Sequence, residues 1–130
     1  LARLPALLKR APKLVLLGIG GNDFLRRVLE SDTRRHIGET IAAVQGAGVS
    51  LVLIAEPKPS LGALVGSLSD HPLYAGLAEK YRVPLFADGW SRILSDNALK
   101  SDAIHANAEG YALFAERLAV FLQKQGFWRG

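Results

Sequence analysis

The sequence contains no cysteine and no methionine. Without cysteine there is no disulfide framework, no thiol nucleophile and no cysteine-based metal site. No apolar run approaches the roughly 20 residues that a helix needs to cross a bilayer, and no signal-peptide pattern is visible. The three histidines are widely spaced along the chain. This spacing does not suggest a metal site, so we expect no bound metal.

Basic residues outnumber acidic ones only slightly, 16 against 12, which gives a net charge of +4. They are scattered, and the only doublets, Arg26-Arg27 and Arg34-Arg35, lie in helix-like segments with acidic neighbours. Aromatic residues do not interleave with them. This pattern is typical of a solvated helix face, and we expect no nucleic-acid partner.

Short apolar runs alternate with amphipathic segments along the 130 residues. Three runs predict strands, at residues 13–17, 51–55 and 83–87, and the first two are typical of strands buried on both faces of a parallel sheet. Helical segments are predicted at 4–10, around Ile37, Ile41 and Val44, around Leu73, Leu77 and Tyr81, at 90–94 and from 107 onward. The alternation predicts a single α/β domain over residues 1–130.

Local signals predict where these helices begin and which way they face. Ser31 or Asp32 is expected to cap the second helix, and Asp70 the third, with Pro72 in its first turn. His71 is explained by the same helix start, and His36 is expected at the surface. The last helix is expected to turn five side chains inward, namely Tyr111, Phe114, Ala115, Leu118 and Leu122.

A glycine-rich turn at residues 18–23 follows the first predicted strand, where open α/β sheets place their sites. A dinucleotide-binding loop is excluded because Asp23 stands where the third glycine would be and would repel pyrophosphate. Two interpretations remain. Asn22 or Asp23 caps the next helix in a tight turn, or the Asn22 amide donates to the oxyanion of a tetrahedral intermediate while Asp23 holds the turn. One such donor contributes about 3–4 kcal/mol to barrier lowering.

A second motif, Asp102 and His105, lies in a polar loop just before the last helix. At this spacing the carboxylate can accept Nδ1–H of the imidazole, which fixes the tautomer and leaves Nε2 free to take a serine proton. Taken alone, such a pair most often belongs to a surface loop.

Together, in this order, the two motifs resemble two of the four motif blocks of the SGNH (GDSL-type) hydrolases. The stretch 102–111 departs from the family's last block at Ala103 and Ala106, where glycine and proline are usual. The segment 4–23 is similar to the TesA-like branch of acyl esterases, lysophospholipases and thioesterases. The resemblance implies a flavodoxin-like three-layer α/β/α sandwich that works without metal or cofactor.

The resemblance also implies roles for individual residues. Asn22 would be an oxyanion-hole donor, and Asp102 and His105 the acid and base of a Ser-His-Asp triad. The remaining turn residues, Gly20, Gly21 and Asp23, would support the turn.

The family's Gly-Asp-Ser-Leu block is not found, and no serine of the chain lies in a G-x-S-x-G elbow. We therefore expect the serine and the first strands to come from a segment preceding Leu1. The strand at 14–17 would then have a bare edge in this chain, which favours self-association.

The sequence thus predicts part of a serine ester hydrolase acting on small acyl esters, thioesters or lysolipids. The resemblance favours a bacterial periplasmic or secreted location. The alternative is a non-catalytic interaction domain derived from this fold. A flavodoxin-like nucleotide-binding domain is disfavoured by the lack of a phosphate-cradling loop. The joint presence of Asn22, Asp102 and His105 favours the hydrolase, because an interaction domain has no physical need for all three.

Overall fold

A computed structural model of the chain describes residues 3–26, 28–59, 68–102 and 104–127, and for Asn22 and Leu25 the backbone only. The strands are β1 (Leu14–Leu17), β2 (Ser50–Ile54) and β3 (Leu85–Phe86). The helices are α1 (Leu4–Leu8), α2 (Gly21–Leu25), α3 (Glu30–Gly46), α4 (Leu73–Tyr81), α5 (Gly89–Leu94) and α6 (Ala108–Lys124), with a 3-10 turn at Asn97–Leu99. The helix–strand alternation predicted from the sequence is confirmed.

The three strands form one parallel sheet in the order β1-β2-β3. Leu53 is in register with Leu17 on one side and with Leu85 on the other. β3 is shorter than the predicted strand at 83–87. Arg82 ends α4 in the left-handed region, and Pro84 has no N–H to donate to the ladder, although its carbonyl accepts from the Leu53 N–H.

β2 is buried on both faces, as predicted, and this creates three layers. Leu51, Leu53 and Ala55 pack in one hydrophobic cluster with side chains of α3 and α4. Val52 and Ile54 pack in a second cluster with side chains of α5 and α6. Helices therefore cover both faces of the central strand, which is the predicted α/β/α arrangement.

β1 departs from the prediction of burial on both faces. Leu17 is buried, but Leu16 is 42% exposed. Among the described residues, β1 is hydrogen-bonded to a neighbour on one side only. An apolar strand with an unpaired edge is a template for pairing with another chain.

This edge gives a prediction for residues 1–130 expressed alone. They should self-associate through β1, with a mass by light scattering at least twice the 14.0 kDa of one chain. Leu16→Lys should shift the population towards the monomer, since a charge on an edge strand opposes pairing. Leu7→Lys is the matched control, because Leu7 is also an exposed leucine but lies on α1. A monomer at high concentration, or equal effects of the two substitutions, would contradict the prediction.

Two helix-start predictions need correction. α3 begins at Glu30 with Leu29 at the N-cap and no side-chain cap, so Ser31 and Asp32 lie inside its first turn. Asp32 is instead 3.6 Å from Arg35 in an exposed ion pair. The Asp70 cap of α4 is also wrong, because the N-cap is Pro72 and Asp70 bonds elsewhere.

The last helix is oriented mostly as expected. Its N-cap Asn107 accepts from the Gly110 N–H at 2.9 Å, and Phe114 is buried. Tyr111, however, is 51% exposed, and Ala115 is exposed too. Both were expected to face inward. Tyr111 does contact Trp90 of α5 but stays half exposed, so the buried stripe of α6 is narrower than its apolar residues suggest. None of the described helices is long and apolar enough to span a membrane.

Candidate active site at the carboxyl edge of the sheet

The two sequence motifs lie around a common residue, Glu56, which follows β2 at its carboxyl end. A Cβ atom built on Gly21, in the glycine turn after β1, would be 3.5 Å from a Glu56 carboxylate oxygen. Ile104 and Ala106, the neighbours of His105 in the chain, line a pocket together with Glu56. The turn and the Asp102–His105 loop therefore meet at the edge where parallel sheets place their sites.

Asp102 and His105 form a hydrogen-bonded pair. His105 Nδ1 lies 3.0 Å from each oxygen of the Asp102 carboxylate. Asp102 Oδ1 also accepts the backbone N–H groups of Ile104 and His105, at 2.9 and 2.8 Å. The Ile104 N–H and the His105 side chain hold the pKa of Asp102 below its usual value. An ionised Asp102 favours the tautomer with hydrogen on Nδ1, which leaves Nε2 free to accept a proton.

Backbone contacts close the loop that carries this pair. The Ser101 N–H donates to the His105 carbonyl at 2.9 Å, and Lys100 forms an antiparallel bridge with Ala106. The Asn107 side-chain amide donates to the Ala98 carbonyl at 2.8 Å. Although both side chains of the pair are more than half exposed, the loop is fixed at its base, which orients the imidazole.

The glycine turn is shaped by Tyr74 of α4. The Tyr74 ring is fully buried, and its hydroxyl donates to the Ile19 carbonyl at 2.6 Å. Burial raises the pKa of Tyr74, so the hydroxyl keeps its proton. Gly20 has a φ of 107°, and a Cβ there would lie 2.5 Å from the Tyr74 hydroxyl oxygen. Only glycine fits this position.

Helix α2, which follows the turn, is held by two side-chain contacts. One comes from α3 and the other from the segment before α4. The buried Thr33 donates its hydroxyl hydrogen to Asp23 Oδ2 at 3.0 Å. The Phe24 ring stacks on the His71 ring at a centroid distance of 4.3 Å and an angle of 10°. Asp23 is therefore engaged in a structural contact. Asn22 is the second residue of α2, but its side chain lies outside the described residues, so its oxyanion role stays a prediction.

The other two histidines are not part of this site. His71 Nδ1 accepts the N–H of Leu73, the first residue of α4, which confirms the explanation of His71 by the helix start. Its Nε2 lies 3.3 Å from a Glu30 oxygen, and burial lowers the pKa of His71, so the neutral ring is favoured. His36 is exposed on α3, as expected. In the described part of the chain, no three His, Cys, Asp or Glu side chains are grouped to hold a metal ion.

Asp70, predicted as a helix cap, instead joins two loops at this edge of the sheet. Its carboxylate accepts from the Asp88 N–H at 2.6 Å and from the buried Ser91 hydroxyl. Asp88 is in the left-handed region, with φ 62°. These bonds hold the start of α5 against the segment that follows β2. No local pattern reveals this contact, because its partners lie 18 and 21 residues away.

Sequence reasoning also missed Glu56. It is half-buried, and burial together with the neighbouring Asp70 raises the pKa of Glu56 to about 7. Its pocket has a volume of about 200 Å³. The one signal in the sequence was its place directly after the central strand, where a polar residue faces the site edge.

The sequence model of the GDSL-like Lipase/Acylhydrolase family matches residues 1–113. The chain belongs to this family. Thioesterase 1/protease 1/lysophospholipase L1 of Escherichia coli (strain K12) is 30% identical over 125 residues, which cover 95% of the chain. The protein of that name from Escherichia coli O6:H1 matches equally well. The chain spans 60% of the length of these curated relatives.

Solved structures share the fold of this family member. The crystal structure of TesA matches with a TM-score of 0.77 at 22% identity. The psychrotrophic esterase EstA from Pseudoalteromonas sp., in a structure inhibited by monoethylphosphonate, matches with a TM-score of 0.80 at 20% identity. Each match covers 95% of the chain and 69% of the other protein. The resemblance and the fold class inferred from the sequence are confirmed.

Proposed function

We propose that this chain supplies the base, the acid and one oxyanion donor of a serine carboxylic ester hydrolase. His105 is the base, Asp102 orients it, and Asn22 is the donor. The serine comes from a segment preceding Leu1. The proposal rests chiefly on the Asp102–His105 pair, whose carboxylate lies 3.0 Å from Nδ1 and leaves Nε2 available. Membership of a lipase/acylhydrolase family supports the same chemistry.

Each proton in this mechanism passes through His105 Nε2. The serine oxygen attacks the substrate carbonyl while Nε2 takes the hydroxyl proton, and Asp102 stabilises the imidazolium. The Asn22 amide donates to the oxyanion of the tetrahedral intermediate. Collapse of the intermediate breaks the bond to the alcohol or thiol, which leaves with the proton from Nε2. Water then hydrolyses the acyl-serine by the same steps, with Nε2 again acting as base.

Acyl esters, thioesters and lysolipids are the proposed substrates, and the names of the Escherichia coli relatives support these classes. Among the described serines, none has a hydroxyl that donates to His105 Nε2. Ser101, the nearest in sequence, donates to the backbone carbonyls of His105 and Ala106, at 3.4 and 3.3 Å. An external serine is therefore part of the proposal.

The test compares two proteins in p-nitrophenyl acetate hydrolysis. The intact protein, which carries the preceding segment, should hydrolyse the ester and lose activity with a serine-directed fluorophosphonate. Residues 1–130 alone should show no hydrolysis above background, since His105 has no hydroxyl to deprotonate. Fluorophosphonate-sensitive turnover by residues 1–130 alone would contradict the external serine. No turnover by the intact protein would favour the non-catalytic interaction domain.

A further inference from the structure

Glu56 is a carboxylate that the proposed mechanism does not use. It follows β2, the central strand, at its carboxyl end. Cβ atoms built on Gly18 and Gly21 would lie 3.8 and 3.5 Å from its two carboxylate oxygens, which is ordinary contact. Because both positions are glycine, no side chain separates the carboxylate from the turn after β1.

Glu56 also lines a pocket that borders the loop carrying His105. The described residues that line it are Glu56, Trp90, Leu94, Ile104, Ala106 and Tyr111. Ile104 and Ala106 flank His105 in the chain, so the pocket borders the loop that carries the proposed base. In a serine hydrolase the imidazole gives its proton to the leaving group. The position of the pocket therefore suits the alcohol part of an ester.

Among the described lining residues the pocket has one carboxyl group, Glu56, which is negatively charged above its pKa of about 7. Glu56 is the only acidic or basic residue among the described lining residues, and the charged neighbour that acts on it is the carboxylate of Asp70. No ion pair in the described part of the chain joins Glu56 to a lysine or arginine. The chain as a whole carries +4. When Glu56 is ionised, its negative charge is thus a local property of the pocket, and it attracts cations.

Two aromatic rings show which kind of cation suits the pocket. The Trp90 and Tyr111 rings contact each other at a centroid distance of 5.6 Å and an angle of 84°. Phe114 stacks on one face of Trp90 at 3.7 Å, so the half-exposed Tyr111 is the more accessible ring. Aromatic rings attract organic ammonium groups, and apolar walls such as Leu94 and Ile104 suit their methyl groups. A small, strongly hydrated metal ion gains little from such walls.

We propose that this pocket binds a methylated ammonium group and thereby selects esters whose alcohol part carries one. The selection of substrates rests on the proposed hydrolase function, whereas the binding of the cation does not. The raised pKa of Glu56 agrees with a half-buried carboxylate that has no cationic partner among the described residues, because a bound cation would favour the ionised form.

The binding test compares choline with 3,3-dimethyl-1-butanol, in which carbon replaces the charged nitrogen. Calorimetry on the intact protein at pH 8 should show choline binding about tenfold tighter or better. Glu56→Gln should remove this preference. Glu116→Gln, which removes an exposed carboxylate of α6, should keep it. Equal affinities for the two compounds in the unmodified protein would overturn the proposal.

The pH dependence of choline affinity identifies the responsible group. Glu56 gains its charge as the pH rises through its pKa of about 7, so the affinity should increase between pH 6 and pH 8. Among the described residues, Asp70, Tyr74 and Tyr111 are titratable groups that lie around it. The affinity of Glu56→Gln should stay flat across this window. The same increase in the variant would show that Glu56 is not the responsible group and would contradict the proposal.

Variants of Tyr111 give a second readout that does not depend on Glu56→Gln folding correctly. Tyr111 is half exposed, so its replacement disturbs little packing. Tyr111→Phe keeps the ring and should keep choline affinity, whereas Tyr111→Ala should weaken it several-fold, on the order of one cation–π contact. Equal affinities of the two variants would show that the ring does not hold the cation.

Hydrolysis separates failure of this inference from failure of the proposed function. The intact protein should show a higher kcat/KM for acetylcholine than for 3,3-dimethylbutyl acetate, and Glu56→Gln should remove the difference. Hydrolysis of p-nitrophenyl acetate without any choline preference would overturn the cation pocket and leave the hydrolase proposal intact. Glu56-dependent choline binding without hydrolysis of any ester would support the cation pocket and overturn the hydrolase proposal.

Discussion

His105→Ala should lower kcat of the intact protein by on the order of 10⁶-fold, and Asp102→Asn by on the order of 10⁴-fold. Alanine removes the group that takes the serine proton. Asparagine offers an amide where a carboxylate now accepts from Nδ1 at 3.0 Å, so the imidazole is held in the wrong tautomer. KM should change little, because neither side chain is proposed to hold the ground-state substrate.

Steady-state kinetics with p-nitrophenyl acetate measures both effects. His36→Ala is the matched control, since His36 is an exposed histidine on α3 and should have near-normal kcat. Circular dichroism checks that each variant is folded. If His105→Ala retained more than a few per cent of kcat, His105 would not be the base.

Gly20→Ala should destabilise the fold by about 3 kcal/mol. A non-glycine residue at the Gly20 φ of 107° costs roughly 1–3 kcal/mol in backbone strain. The new Cβ would also lie 2.5 Å from the Tyr74 hydroxyl oxygen, so this ring must move and its bond to Ile19 is lost. A buried polar group without its partner costs about 1–3 kcal/mol.

Urea denaturation of the Gly20→Ala variant measures this loss of unfolding free energy, and Gly76→Ala is the control variant. Gly76 is exposed within α4, and a Cβ there would meet nothing within 4 Å. Alanine at that position should stabilise the protein by roughly 0.5–1 kcal/mol, because it is a better helix former. Effects of the same sign in the two variants would contradict the description of the Gly20 turn.

Properties set by local pattern were predictable from the sequence. The apolar run at β2 predicts a strand buried on both faces, and the structure has it. The spacing of Asp102 and His105 predicts a hydrogen-bonded pair within one short loop, and the ring and the carboxylate are 3.0 Å apart. In each case the determining residues are neighbours in the chain, so no long-range information is needed.

Properties set by distant contacts were not predictable. The hydrogen bond between Tyr74 and Ile19 joins residues 55 positions apart. The need for glycine at position 20 follows from the position of the Tyr74 hydroxyl, which only the folded structure shows. Glu56 belongs to no motif, and its raised pKa depends on Asp70 and on burial by the fold. Leu16 is 42% exposed because the exposure of a strand side chain depends on what covers its face of the sheet, which an apolar run does not encode.

The central claim is that His105 of this chain serves a serine located outside it. Mass spectrometry of peptides from the fluorophosphonate-treated intact protein tests that claim most directly. We expect one phosphonylated serine, in a segment preceding Leu1, and no adduct in His105→Ala. An adduct on Ser101 or any other serine of residues 1–130, or the absence of an adduct in an active protein, would contradict the account.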